Sequence, residues 1–168
     1  MRHVRVGDLA TECARERGCE RDEARDCYIV DSDAEDALLD QLERDTQDGG
    51  CLLDYHCNNL FPERWADLVV VLSCDTHELH RRLTARNYSS SKIEENVACE
   101  VMQVVMQEAH DSYNASMVWE IANGSPSERD AGVARVASWV RAWNASFHIG
   151  ETRPAVCTSV DDSCHTCK

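Results

Sequence analysis

The sequence predicts an α/β domain built on a parallel sheet. The run Leu68-Val69-Val70-Val71-Leu72 is β-branched and apolar without alternation, the pattern of a strand covered on both faces. Short apolar runs of this kind alternate along the chain with stretches of helical periodicity. The 168 residues, 43% of them hydrophobic, suffice for a single core.

Taken in order, the chain enters at His3-Val4-Arg5-Val6, with almost nothing before it, although the first strand of such a plan should be central. Ala10 to Asp26 is dense in charge and reads as a surface helix broken at Gly18 or as a mobile loop. Ser32 or Asp33 can cap a helix running to about Thr46, with Ala34, Leu38, Leu39 and Leu42 as its stripe. After the turn Asp48-Gly49-Gly50, a short apolar run from Cys51 to Tyr55 is interrupted by Asp54. Asp75-Thr76 starts a helix carrying Leu79 and Leu83. A further helix starts near Ser91, with Ile93, Val97, Val101, Val104, Val105 and Ala109 at helical spacing. Met117 to Ile121 reads as a strand, and about Ser127 to Ala145 as a helix presenting Val133, Val136, Trp139, Val140 and Trp143. Beyond Phe147 there is no periodicity.

The formal charge is -14, from 31 acidic and 17 basic residues. Such a field repels nucleic acid, whose binding rests on Lys and Arg, and suits either solubility or a basic protein partner. No stretch reads as a signal peptide or a membrane span, so the ten cysteines are expected to be reduced thiols. Cys51, Cys74 and Cys99 lie in apolar patterns where a thiol packs as a small hydrophobe. Cys157 with Cys164-His165-Thr166-Cys167 falls short of the two organised pairs of a structural zinc site.

The segment from Cys51 to Trp65 is the most informative. An apolar strand ending in an acid is how phosphoryl-transfer enzymes hold Mg²⁺ beside a nucleotide, and ligands bind at that end of open α/β sheets. Asp54 takes this place, with His56 two residues on; an acid at a strand end can equally be a cap, and a single His structural. Arg64, on the Pro-defined turn Phe61 to Trp65, suits a bidentate grip on phosphate. Arg81, Arg82 and Arg86 share one short helix, with Lys92 after it, as surface charge or as part of a lid over phosphates.

Val6-Gly7-Asp8-Leu9-Ala10, Asp54-Tyr55-His56, Phe61-Pro62-Glu63-Arg64-Trp65, the Asp75-Thr76 helix start and the stretch Leu83 to Glu108 together resemble the adenylate kinase isoenzyme 6 family, the coilin-interacting nuclear ATPases. The resemblance runs in unbroken order over residues 4 to 145. It implies a P-loop nucleoside-monophosphate-kinase-like three-layer fold over residues 1–147, with a monophosphate-binding segment at about 5–33 and a lid at about 85–95. Residues 148–168 are left as a disordered, Cys-containing tail. It further implies ATP:AMP phosphotransferase and ATPase activity with Mg²⁺, catalytic Asp54 and His56, and nucleotide contacts from Gly7, Asp8, Arg64 and Arg86, with Asp54 holding the metal through water. The family's biology implies a monomer in nucleus and cytoplasm, acting in small-subunit ribosome biogenesis and 18S rRNA maturation through a basic ribosomal protein, without direct nucleic-acid or membrane binding.

The departures are specific. The family opens with a strand and the glycine-rich loop GxxxxGK(S/T), whose N–H groups and Lys cradle phosphates; no such motif occurs in this sequence. Thr11, Cys57 and Ser125 stand where an Arg, a Gly and a basic residue are expected. A strand, loop and crossover helix amount to about 30 residues. A central strand's aliphatics contribute roughly 6–12 kcal/mol, against about 5–15 kcal/mol for a whole domain. The chain as written is therefore expected to fold poorly alone, and mapping of the transcript 5′ end to reveal an upstream in-frame GxxxxGK(S/T). An inactive paralogue that only binds the ribosomal protein is the alternative.

Overall fold

The computed structural model describes residues 1–23, 27–146 and 155–159. Arg2–Arg5 forms strand β1 and leads straight into helix α1, Val6–Arg17. The first part of the charged stretch that read as helix or loop, Ala10 to Arg17, is thus helix. It stops at Gly18 (φ 74) because the left-handed turn lets the Gly18 and Cys19 N–H groups donate to the Arg15 and Ala14 carbonyls, a conformation glycine adopts without Cβ strain. Arg21–Asp22 (β2) and Cys27–Tyr28 (β3) pair antiparallel beside it.

Helix α2, Ser32–Thr46, is capped one residue earlier than Ser32 or Asp33 would do it: the Asp31 side chain accepts the Ala34 N–H at 2.9 Å. Strands β4 (Cys51–Tyr55) and β5 (Ala66–Ser73) follow. Helix α3, Thr76–Ala85, is capped by Asp75, which accepts from the His77 and Glu78 N–H groups. The stripe running from Ile93 to Ala109 belongs to two helices, α4 (Ser90–Val101) and α5 (Val104–Ser112), broken at Gln103 (φ 51). Strand β6 is Val118–Ala122, helix α6 is Pro126–Ser146 and strand β7 is Ala155–Ser159.

Five strands form one parallel sheet in the order β1-β4-β7-β5-β6. The N-terminal strand is therefore an edge, and the centre is filled from the C-terminal segment. This corrects the expectation of a structureless tail at Ala155–Ser159: β4 and β5 each leave a row of backbone donors and acceptors facing one gap, and β7 completes both ladders. The other residues of that expected tail lie outside the described ones.

One face of the sheet is well covered. Leu53 of β4 and Val69 and Val71 of β5 pack with Val6 and Ala10 of α1, Leu38 and Leu42 of α2 and Ala109 of α5. On the other face Leu68 and Val70 of β5 and Ile121 of β6 meet Val136 and Trp139 of α6. The α3–α4 pair has its own small core of Leu79, Leu83 and Ile93. Among the described residues Cys13, Cys19 and Cys51 are free thiols, and no helix is long and apolar enough to cross a membrane.

Asp67, at the start of β5, has a carboxylate oxygen buried without a hydrogen-bond partner. Burial raises its pKa from 3.8 to about 6. Between those values the folded chain holds more protons than the unfolded one, so stability falls as pH rises through this window. Partial exposure discounts the full effect to about 1–2 kcal/mol. Asp67→Asn is expected to be more stable than wild type by that amount at pH 7.5 and to lose the advantage at pH 4. Urea midpoints at the two pH values test this; an unchanged difference would refute it.

Candidate functional site

Because the sheet is parallel, β1 and β4 end together. Arg5 is level with Asp54, and α1 begins at the next residue, so the first turn of α1 lies beside the end of β4. His3 is level with Leu52, two residues before Asp54, which puts both side chains on one face. The His3 Nε2 lies 3.1 Å from Asp54 Oδ2. The Asp54 side chain is 28% exposed, so it is not a core group. At Gly7 there is open space where a Cβ would stand, above helix N–H groups that have no side-chain cap. Such a helix end favours an anion. Asp8 is held by Arg5, whose Nε donates to its Oδ2 at 2.7 Å.

The loop after β4 is pinned from below. His56 lies against Tyr55, ring centroids 4.2 Å apart. Fully buried Asn58 donates from its amide to the Val105 carbonyl at 3.0 Å. The Tyr113 hydroxyl faces two carbonyls, Asn58 at 2.8 Å and Phe61 at 3.2 Å; its single proton serves one of them at a time. These anchors hold the backbone that presents His56. His3, Asn58 and Tyr113 were not singled out from the sequence, since only strand register and the seating of α5 reveal them.

Arg64 goes elsewhere. The loop crosses back along the sheet before β5 starts, and the ladders to β7 set Ala66 level with Ala155, one residue before Val156, the partner of Leu52. Arg64 therefore lies beyond the strands' starting edge, while Asp54 sits near their finishing edge, about 10 Å further along. There Arg64 pairs with Glu43 of α2 at 3.2 Å. The structure thus separates the expected phosphate-gripping Arg64 from Asp54, because strand direction reverses the reach that sequence proximity suggests.

From the finishing edge, α3 and α4 project as a hairpin, its base closed where the Cys74 N–H donates to Glu100 at 2.8 Å. Arg86 stands at the tip, after the 10 residues of α3, about 15 Å out. Arg81 and Arg82 both bind Glu78, holding its carboxyl down at about 2, and Arg82 also donates to the Gly124 carbonyl at 3.0 Å. Lys92 lies over the Tyr88 ring. These three cations are thereby accounted for as structural contacts. Gly7, Asp8, Asp54 and His56 share one edge, with Arg86 on a projecting arm.

Residues 1–103 match the family model described as an AAA domain. An adenylate kinase isoenzyme 6 homologue of Candida albicans is 47% identical over 132 residues, 77% of this chain and 52% of the relative. The homologue of Saccharomyces cerevisiae is 45% identical over 122 residues, 73% and 60%. That of Schizosaccharomyces pombe is 38% identical over 143 residues, 85% and 79%. The chain belongs to the adenylate kinase isoenzyme 6 family. It spans little more than half the length of the first two relatives. Family membership agrees with the α/β, nucleoside-monophosphate-kinase-like sheet, and GxxxxGK(S/T) does not occur in these 168 residues.

The donor set at the shared edge suits Mg²⁺. A hard cation takes one or two carboxylates and completes its shell with water and substrate phosphates, and Asp54 offers a partly exposed carboxylate at the edge. Among the described residues no group of three His, Cys, Asp or Glu side chains comes together, so a closed protein cage of the zinc type is not built there.

Proposed function

We propose that the chain is a nucleoside monophosphate kinase, an ATP:AMP phosphotransferase with ATPase activity, of the nuclear type that serves small-subunit ribosome biogenesis and 18S rRNA maturation. The supporting observation is that Asp54, bound by His3, ends β4 level with Arg5, the residue from which the uncapped α1 starts. Mg²⁺ held by Asp54 through water would neutralise charge on the phosphates. His3 fixes the orientation of the Asp54 carboxylate, the helix N–H groups at Gly7 bind an acceptor phosphate, and His56 orients the attacking group. Arg86 meets the transferred phosphoryl when the α3–α4 arm folds inward. The family's basic ribosomal protein partner fits the acidic charge, and location in nucleus and cytoplasm follows from that role.

A second reading is a silent binder of the same ribosomal protein. One observation favours it: β7 fills the middle of the sheet, where the fold of the family would place its first strand. Coupled detection of ADP formed from ATP, with and without AMP, separates the two. The kinase reading expects turnover that Asp54→Asn reduces about 100-fold. Tight binding of the ribosomal protein without any turnover would establish the silent binder instead.

A further inference from the structure

His3 and Asp54 offer more than a hydrogen bond. His3 lies on the edge strand β1, level with Leu52, and Asp54 lies two residues further along β4, so both side chains leave the same face of the sheet. His3 Nε2 and Asp54 Oδ2 come within 3.1 Å. Neither group is sealed off, since the side chains are 52% and 28% exposed. Arg5, level with Asp54, gives its guanidinium to Asp8, with Nε donating to Oδ2 at 2.7 Å. The side-chain partner of the Asp54 carboxylate is therefore His3 and not that guanidinium.

The spacing of the two donors is what a single ion requires. Two bonds of about 2.1 Å whose ends are 3.1 Å apart enclose about 95°, close to the angle between neighbouring positions of an octahedral shell. As a hydrogen bond the contact needs a proton on Nε2. An ion between the donors takes that proton's place, and the neutral ring carries its proton on Nδ1 instead. Among the described residues no group of three His, Cys, Asp or Glu side chains forms, so water and substrate oxygens complete the shell. Donor chemistry then selects the ion. By itself the Asp54 carboxylate suits Mg²⁺; an imidazole nitrogen beside it shifts the choice to the divalent ions of the first transition row. We propose that His3 Nε2 and Asp54 Oδ2 ligate the metal ion together, and that the site takes a transition dication such as Mn²⁺ in preference to Mg²⁺. Direct ligation rests on the reading of Asp54 as the metal holder and takes the place of contact through water.

The test uses the full chain with Mn²⁺ alone. Electron paramagnetic resonance of the free ion counts binding, and pulsed measurement reads coupling of the bound ion to an imidazole nitrogen. Wild type is expected to bind Mn²⁺ with that coupling, and Mg²⁺ to displace it only at about tenfold excess or more. His3→Gln keeps an N–H that can donate to Asp54 while removing the metal-binding nitrogen. It is expected to abolish the coupling, weaken Mn²⁺ about tenfold and bring Mg²⁺ nearly level. Affinity alone would not decide, because losing an outer partner of a ligand also costs about 10–100-fold; the coupling decides, because it needs a directly bound nitrogen. His3 is half exposed, so the fold is expected to survive its substitution, as circular dichroism would verify. Mn²⁺ bound without nitrogen coupling, yet lost in Asp54→Asn, overturns ligation by His3 and leaves Asp54 as the metal holder. Coupling that survives His3→Gln assigns the nitrogen to another histidine and likewise overturns the proposal. No Mn²⁺ binding by wild type, or binding indifferent to Asp54→Asn, overturns it together with the reading of Asp54.

Discussion

A chain ending before Ala155 is expected to lose cooperative unfolding. Strand β7 makes four register pairs with β4 and four with β5, and no ladder joins β4 to β5 directly in the order β1-β4-β7-β5-β6. Without it the sheet falls into a β1–β4 half and a β5–β6 half. Each ladder hydrogen bond contributes about 0.5–1.5 kcal/mol net, and each buried group left unpaired costs about 1–3 kcal/mol. Losses of that kind on two inner edges exceed the roughly 5–15 kcal/mol that hold a domain together. Thr158→Pro attacks the same ladder with one residue, since proline cannot donate within a central strand. The measurement is far-ultraviolet circular dichroism through a thermal scan. A shortened chain that melts sharply at the full-length temperature would show that β7 is not part of the working sheet.

The same strand shows what the sequence could not convey. Ala155 to Ser159 is too short and too weakly patterned to stand out by itself; it becomes a strand because β4 and β5 leave a gap of the right width between them. In the order β1-β4-β7-β5-β6 it takes the central position. By contrast, the run from Leu68 to Leu72 was legible because burial on both faces leaves an unbroken apolar signature, and Val69 and Val71 do face one cluster while Leu68 and Val70 face another. The Asp75 cap was legible because capping is local chemistry. The break at Gln103 was not, since Val97, Val101, Val104, Val105 and Ala109 keep helical spacing straight through it.

The candidate site divides along the same line. Asp54 at the end of β4 follows from an apolar run closed by an acid, and Gly7 follows from motif. His3 depends on the register of two strands 51 residues apart in contact, which no single-sequence pattern encodes. Arg64 lies ten positions from Asp54 in the chain, yet the connection between two parallel strands must return to the starting edge, carrying Arg64 with it to Glu43. Proximity in sequence was a poor guide where strand direction was not considered.

Unequal coverage of the two faces of β4 makes a paired prediction. Leu53 is fully buried, packed with Val6, Ala10, Leu38 and Leu42 under α1 and α2, in surroundings that cannot collapse around a void because three elements hold them apart. Leu53→Ala is expected to cost about 3–4 kcal/mol, the transfer energy of the lost atoms plus the cavity left behind. Its neighbour Leu52 points to the opposite face, half-buried in an open pocket beside α6, where water already reaches part of its surface. Leu52→Ala is expected to cost about 1 kcal/mol or less, since little area returns to solvent and no closed cavity forms. Urea unfolding of both variants beside wild type measures the contrast at constant chemistry. Equal losses would mean that the Leu52 face is as closely packed as the α1–α2 face, and that the two faces are not unequally covered.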